Sequence, residues 1–149
     1  MSESESTKRE KEAALEAYNE IVENAELGDI RLVELHFDVK PVYYDDDGRP
    51  KHKAKFNCNI SNISYDEEPA SLGGLIEWSV SIEMGRKKLL SIKAAYIVIY
   101  DNVPNVGQNH SEAYFRKVGR FATYPYFRSV VSQLSWASRA ELPTLPVLK

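Results

Sequence analysis

The side chains best placed to do chemistry in this sequence are His36, His52 and His110, the single cysteine Cys58, and short acidic runs at 45–47 and 67–68. The three histidines lie far apart and share no metal-ligand spacing. Asp45, Asp46 and Asp47 run straight into Gly48, whereas a calcium loop needs ligands at alternate positions and a distant glutamate. Asp-Gly turn chemistry accounts for them better. Gly73-Gly74 is followed by neither Lys-Ser/Thr nor a helix start, so it is no phosphate loop. There is no Gly-x-Ser-x-Gly elbow, and Cys58 has no neighbouring base. Cys58 sits in a strand pattern and reads as a small core residue. Glu67-Glu68 falls in a turn, where solvation explains it. These residues point away from an enzyme and away from a bound nucleotide, metal or cofactor.

What remains is ring and aliphatic surface. Tyr43, Tyr44, Tyr65, Trp78, Tyr96 and Tyr100 are candidates for exposed rings, Trp78 being the one more often found in a core. Residues 109–138 add Tyr114, Phe115, Phe121, Tyr124, Tyr126, Phe127 and Trp136. Apolar residues recur there at helical spacing, through Phe115, Val118, Phe121 and Ala122 and again through Phe127, Val130, Val131 and Leu134. Asn109 and Glu112 have the spacing of an N-cap and its reciprocal partner. Pro125 lacks an N–H and predicts a kink. Rings on more than one side of a helix need more than one packing partner. Phe115, Phe121, Tyr124, Tyr126, Phe127 and Val131 therefore read either as the core of a monomer or as an interface with a neighbouring subunit. Beyond the helix, Leu142, Leu145, Val147 and Leu148 alternate with Pro143 and Pro146. That predicts an extended apolar segment, lining a groove or plugging the core.

The elements that would carry these residues follow from periodicity. The first seven residues are polar and predict disorder, with a single domain over 8–149. From 8 to 26 one narrow apolar stripe (Ala14, Leu15, Tyr18, Ile21, Val22, Ala25) predicts an amphipathic helix that ends at Gly28 and docks on its own sheet or, in the alternative, on a partner. Strands follow over 30–44, with a bulge near Leu32–Val33, then from 54 to 60 or as far as 65, from 76 to 84 and from 90 to 100. Gly85-Arg86 fits a tight hairpin turn. Ala95, Ile97 and Ile99 make half of the last strand apolar on both faces, which predicts a cover by the first helix or by another subunit. Four consecutive strands between helices give an α+β fold with a four-stranded antiparallel sheet.

Hydrophobic content of 43% and charged content of 28% are those of an ordinary globular domain. No run reaches the ~18 apolar residues of a membrane span, and the acidic N-terminus is no signal peptide, which predicts a cytoplasmic protein. Eight glutamates against Lys8, Arg9 and Lys11 leave residues 1–26 at −5, so the rest carries +2 of the net −3. No basic face for nucleic acid stands out.

One string carries a resemblance. Gly119-Arg120-Phe121-Ala122-Thr123-Tyr124-Pro125-Tyr126-Phe127-Arg128, followed by Val130-Val131, Leu134 and Leu142-Pro143-Thr144-Leu145, resembles the SecB chaperone family. Members carry a Phe/Tyr-Pro-Tyr-x-Arg core in the long helix and then a Leu-Pro-x-Leu-type segment. The likeness is closest to SecB-like chaperones that accompany actinobacterial toxin–antitoxin pairs, and Leu27-Gly28-Asp29-Ile30-Arg31-Leu32 is similar to the start of their first strand. The resemblance implies a SecB-like sheet backed by a long helix, assembled as a homotetramer that is a dimer of dimers. It implies an ATP-independent holdase for unfolded or precursor polypeptides, handed on to SecA in export or, in the alternative, kept for an antitoxin. A third class, a structural or ligand-binding domain, stays open. Client contacts are expected at Tyr43, Tyr44, Tyr65, Trp136, Leu142, Leu145, Val147 and Leu148. Export members continue into a second helix and an acidic tail that contacts SecA, whereas this sequence stops at Lys149. A more open groove, walled by the segment itself, is the expectation.

Overall fold

The computed structural model describes residues 3–45, 54–142, 145 and 148. Asp46, Asp47, Gly48, His52 and Val147, all weighed above, lie outside the described residues. Helix α1 (Glu3–Asn24) leads into strand β1 (Glu26–Val39), the short helix α2 (Val42–Asp45), strands β2 (Ala54–Asp66), β3 (Ser71–Met84) and β4 (Lys87–Asp101), and helix α3 (Gln108–Ser138). The sheet is antiparallel in the order β1-β4-β3-β2. Hairpins join β2 to β3 and β3 to β4. The chain crosses from β1, at one edge, to β2, at the other.

Alternation fixes which face is covered. Ile76, Trp78, Val80 and Ile82 of β3 stand opposite Tyr96, Ala94, Ile92 and Leu90 of β4, and all eight are buried. α3 packs on this face. Its residues Phe115, Gly119, Thr123, Phe127 and Val131 form one buried row at i, i+4 spacing. Close approach at the row has a sequence cause. A Cβ at Gly119 would lie 2.7 Å from Ile76 Cδ1, and one at Gly74 would lie 2.7 Å from the Phe115 ring. Farther along, Trp78 Nε1–H donates to Thr123 Oγ1 at 2.8 Å, and Thr123 donates to the Gly119 carbonyl at 2.9 Å. The Trp78 ring stacks on Phe127 and meets Tyr124 edge-on.

The structure corrects several boundaries. α1 begins at Glu3, where disorder was expected to residue 7, since glutamates in the first turns favour the positive end of a helix dipole. It packs on α3, with Tyr18 and Tyr114 ring centres 6.1 Å apart, and buries Ile21 in the core that α3 shares with the sheet. It ends before Gly28, which lies at an irregularity in β1 where a Cβ would clash with the Asp101 carboxylate. The bulge expected near Leu32–Val33 is present. β1 stops at Val39, ahead of Pro41, and Tyr43 and Tyr44 lie in α2. β3 starts at Ser71, five residues early, because Leu72 and Gly74 pair with Tyr100 and Val98. Gly85 makes the two-residue hairpin turn at φ 64°. α3 is capped by Gly107, not Asn109, and Glu112 accepts a hydrogen bond from Gln108. The helix continues through Pro125.

Among the described residues no helix covers the second face of the sheet. α1 and α3 lie on the same side, so Ile97 stays exposed among polar neighbours and the ion pairs Lys55–Glu83 (2.9 Å) and Lys93–Glu77 (3.5 Å).

Thr123→Val keeps the shape of the side chain and leaves the buried Trp78 N–H unpaired. It is expected to lower stability by about 1–3 kcal/mol. Thr123→Ser, which keeps the acceptor, should cost less. Urea titration checks this: the midpoint falls for valine while the slope is unchanged.

Candidate functional site

The buried row of α3 divides the rest of the helix into two flanks. One residue before each member come Tyr114, Val118, Ala122, Tyr126 and Val130. This flank meets α1 through Tyr114 and β4 through Tyr126, whose ring centre lies 6.5 Å from that of Tyr96. One residue after come Arg116, Arg120, Tyr124, Arg128 and Ser132, with Glu112 and Trp136 one turn beyond either end. This second flank faces β2. Arg120 lies 6.0 Å above the Trp78 ring and close enough to Cys58, Trp78's partner across the ladder, to act on its thiol.

A cavity lies at each end of the β2-facing flank. The one at the start of α3 holds about 290 Å³ and is lined by Ile63, Tyr65 and Leu72 on the sheet, Asn105 in the loop, and Gln108, Ser111 and Glu112 on the helix. The one at the end holds about 230 Å³, between Arg128, Val131, Ser135 and Trp136 of α3 and Leu142 and Leu145 beyond it. Arg139, in the left-handed conformation at φ 58°, turns the chain there. Ser135 donates to the Ala140 carbonyl at 2.7 Å and holds the turn closed. That turn brings Leu142 and Leu145 alongside the helix they follow.

The expected contact residues divide accordingly. Trp136, 85% exposed, meets Leu142 and Leu145 in the second cavity, while Leu148 packs half-buried against the core. Tyr65 lines the first cavity, with its hydroxyl spent on the Val103 carbonyl at 2.7 Å. Tyr44 is exposed and donates to the Ser138 carbonyl. Tyr43 is no exposed ring. It is 2% exposed, because α2 tucks it under the end of α3, where it donates to the Glu141 carbonyl. Trp78, Tyr96 and Tyr100 are also core.

The expected interface residues separate in the same way. Phe115, Tyr124, Phe127 and Val131 are buried on the chain's own sheet, which corrects their assignment to a subunit contact. Phe121 and Tyr126 are about half exposed. They share the helix side of the sheet with Leu27, Leu32 and Leu35 of β1, which are also exposed. Between these surfaces lie two buried hydroxyls with no partner among the described residues, Tyr96 Oη and Tyr100 Oη. Burial pushes the Tyr96 phenol up to about 12. It raises that of Tyr100 further, with the neighbouring Tyr114 adding to the rise.

The sequence assigned no site role to Arg116, Arg120, Arg128 or Ile63. Their i, i+4 spacing is visible, but which flank of the helix faces β2 depends on which row is buried. Among the described residues no His/Cys/Asp/Glu group is arranged to hold a metal, and no helix is long and apolar enough to cross a membrane.

Against this geometry, the chain is similar to the SecB-like chaperone of Mycobacterium tuberculosis, solved in complex with a ChAD peptide from the HigA1 antitoxin. The TM-score is 0.69 at 19% identity, over 90% of this chain and 97% of that one. The fold is therefore SecB-like. A protein of unknown function from Streptococcus agalactiae matches at a TM-score of 0.34 and 10% identity, over 83% and 97% of the two chains, and carries no weight. Comparison with protein-family models and with curated proteins gave no match.

Burial raises the Cys58 thiol to about 11, and Arg120 offsets only part of this. A raised pKa means less thiolate at a given pH, about a hundredfold less than an ordinary thiol at pH 8. Alkylation by iodoacetamide is expected to be slower by about that factor and to rise about tenfold per pH unit between 8 and 10. A rate like that of a free thiol would contradict the packing of Cys58 against β3 and α3.

Proposed function

We propose that this chain is a nucleotide-independent holdase that shelters an extended, apolar polypeptide segment along the β2-facing flank of α3. The observation that carries the reading is the opening at the end of that flank, where Trp136 stands in solvent beside Leu142 and Leu145. An indole left in water contributes nothing to folding, but it offers a large contact with few rotors to freeze when a client covers it. The similar chaperone that was solved with an antitoxin peptide supports a dedicated client of antitoxin type. Export with handover to SecA, the first expectation from the sequence, gains no such support. Holding a segment in a groove asks for no bond chemistry, which fits the absence of a phosphate loop in the sequence.

The working form in this reading is a homotetramer, a dimer of dimers. Phe121 and Tyr126 of α3 and Leu27, Leu32 and Leu35 of β1 leave apolar surface on the helix side of the sheet that stays exposed among the described residues. A second copy laid there would cover it.

Two measurements test the reading. In an aggregation assay by light scattering, the chain at up to stoichiometric amounts should slow an unfolding client equally with and without ATP. Trp136→Ala should weaken client binding about tenfold or more, consistent with roughly 1.5–3 kcal/mol of burial, while stability stays within about 0.5 kcal/mol. Full client affinity in that variant removes the proposed site. Separately, light scattering coupled to size exclusion at micromolar concentration should give four times 17.0 kDa. Phe121→Asp with Tyr126→Asp should lower the mass and leave the far-UV circular dichroism intact, whereas Phe127→Asp, buried in the core, should unfold the chain. A wild-type monomer overturns the assembly.

A further inference from the structure

The β2-facing row of α3 carries a charge pattern that its apolar surroundings do not explain. Arg116, Arg120 and Arg128 are all exposed, and each directly follows a member of the buried row. Among the described residues none of them has a carboxylate within ion-pair distance. Lysines on the opposite face of the sheet, by contrast, are matched to glutamates. Arg120 is held over Trp78, and Arg128 lines the cavity with Trp136, Leu142 and Leu145. The β2 side chains on the helix-side face here, Phe56, Cys58 and Ile60, are uncharged. The chain as a whole carries −3, so the strip is a local feature, not a sample of a basic surface.

We propose that this arginine strip selects the client, which is an extended apolar segment bearing carboxylates along one edge. The inference rests on the holdase reading and names the chemistry of its partner. Spacing supports it. Along a helix the arginines stand roughly 6 and 12 Å apart at 1.5 Å per residue. Same-face side chains of an extended segment recur about every 6.6 Å. Acidic residues at positions i, i+2 and i+6 therefore meet the three guanidiniums in turn. The residue at i+4, on the same face, falls beside Tyr124, and apolar residues beyond i+6 reach the exposed ring of Trp136. Exposed pairs of this kind add little affinity singly and act mainly on partner choice and on-rate.

The test uses three labelled peptides of one alternating Leu/Val design, with Glu, Gln or Lys at i, i+2 and i+6, and fluorescence anisotropy against the full chain. At about 50 mM salt the Glu peptide should bind about tenfold more tightly than the Gln peptide, with the Lys peptide weakest. The spread should shrink at about 0.5 M salt as screening lengths fall. Arg116→Glu with Arg120→Glu and Arg128→Glu should invert the order. The pair Arg116→Glu and Arg128→Glu, which leaves the ring contact of Arg120 in place, should remove most of the Glu advantage. Equal binding of all three peptides, or an order that survives both variants, overturns the inference and leaves the holdase reading standing. Failure of even the Gln peptide to bind overturns both. Displacement of the Glu peptide by an equal concentration of a single-stranded oligonucleotide assigns the strip to a phosphate backbone and overturns it as well.

Discussion

Seating one i, i+4 row of α3 on β3 is the constraint from which the rest of this structure follows. Phe115 lies over Gly74, Gly119 over Ile76, and Thr123 accepts the indole N–H of Trp78. The two glycines permit an approach that side chains would block. The hydrogen bond then fixes the helix about its own axis, because a rotation by one residue would leave a buried donor unpaired. Once that row is fixed, every other residue on the helix has an assigned direction. Tyr114 and Tyr126 turn to α1 and β4, and Arg120, Tyr124 and Trp136 turn to the β2 side. Phe121 is left exposed, with no partner ring among the described residues.

Topology supplies the second constraint. The strand order β1-β4-β3-β2 sends the chain from one edge of the sheet to the other between residues 39 and 54. That crossing presses α2 against the end of α3, where Tyr43 and Tyr44 hold the carbonyls of Glu141 and Ser138. The end of the long helix and the segment after it are thereby fixed where the proposed groove opens. Both helices lie on one face of the sheet, α3 over β3, β2 and part of β4 and α1 against α3. The helix side of β1 stays open and apolar, which is why a second copy enters the functional reading.

Much of this was legible from residue order. Period-two alternation located all four strands, the Leu32–Val33 bulge and the Gly85-Arg86 turn, and helical spacing located both long helices. The resemblance of the Tyr-Pro-Tyr-x-Arg string to SecB chaperones agrees with the fold that the similar structure shows. What escaped depends on distant contacts. Tyr43 looked exposed because nothing local says that α2 will be pressed under α3. Phe115, Tyr124, Phe127 and Val131 looked available to a partner because periodicity does not say how much of a helix its own sheet covers. Gly28 resembled a helix stop, yet its role comes from Asp101, more than seventy residues away. The arginine strip was hidden for the same reason, since its meaning depends on which row is buried.

The most direct test of the proposed groove is the fluorescence of Trp136 during client titration, taken as the difference between the wild type and Trp136→Phe. Trp78 is buried and contributes a constant background, whereas Trp136 is 85% exposed in the free chain. A saturable blue shift of the difference spectrum, with the same midpoint as client binding measured independently, places the client on the β2-facing flank of α3. Client binding that saturates while the Trp136 emission stays at its solvent-exposed wavelength puts the client elsewhere and contradicts the groove.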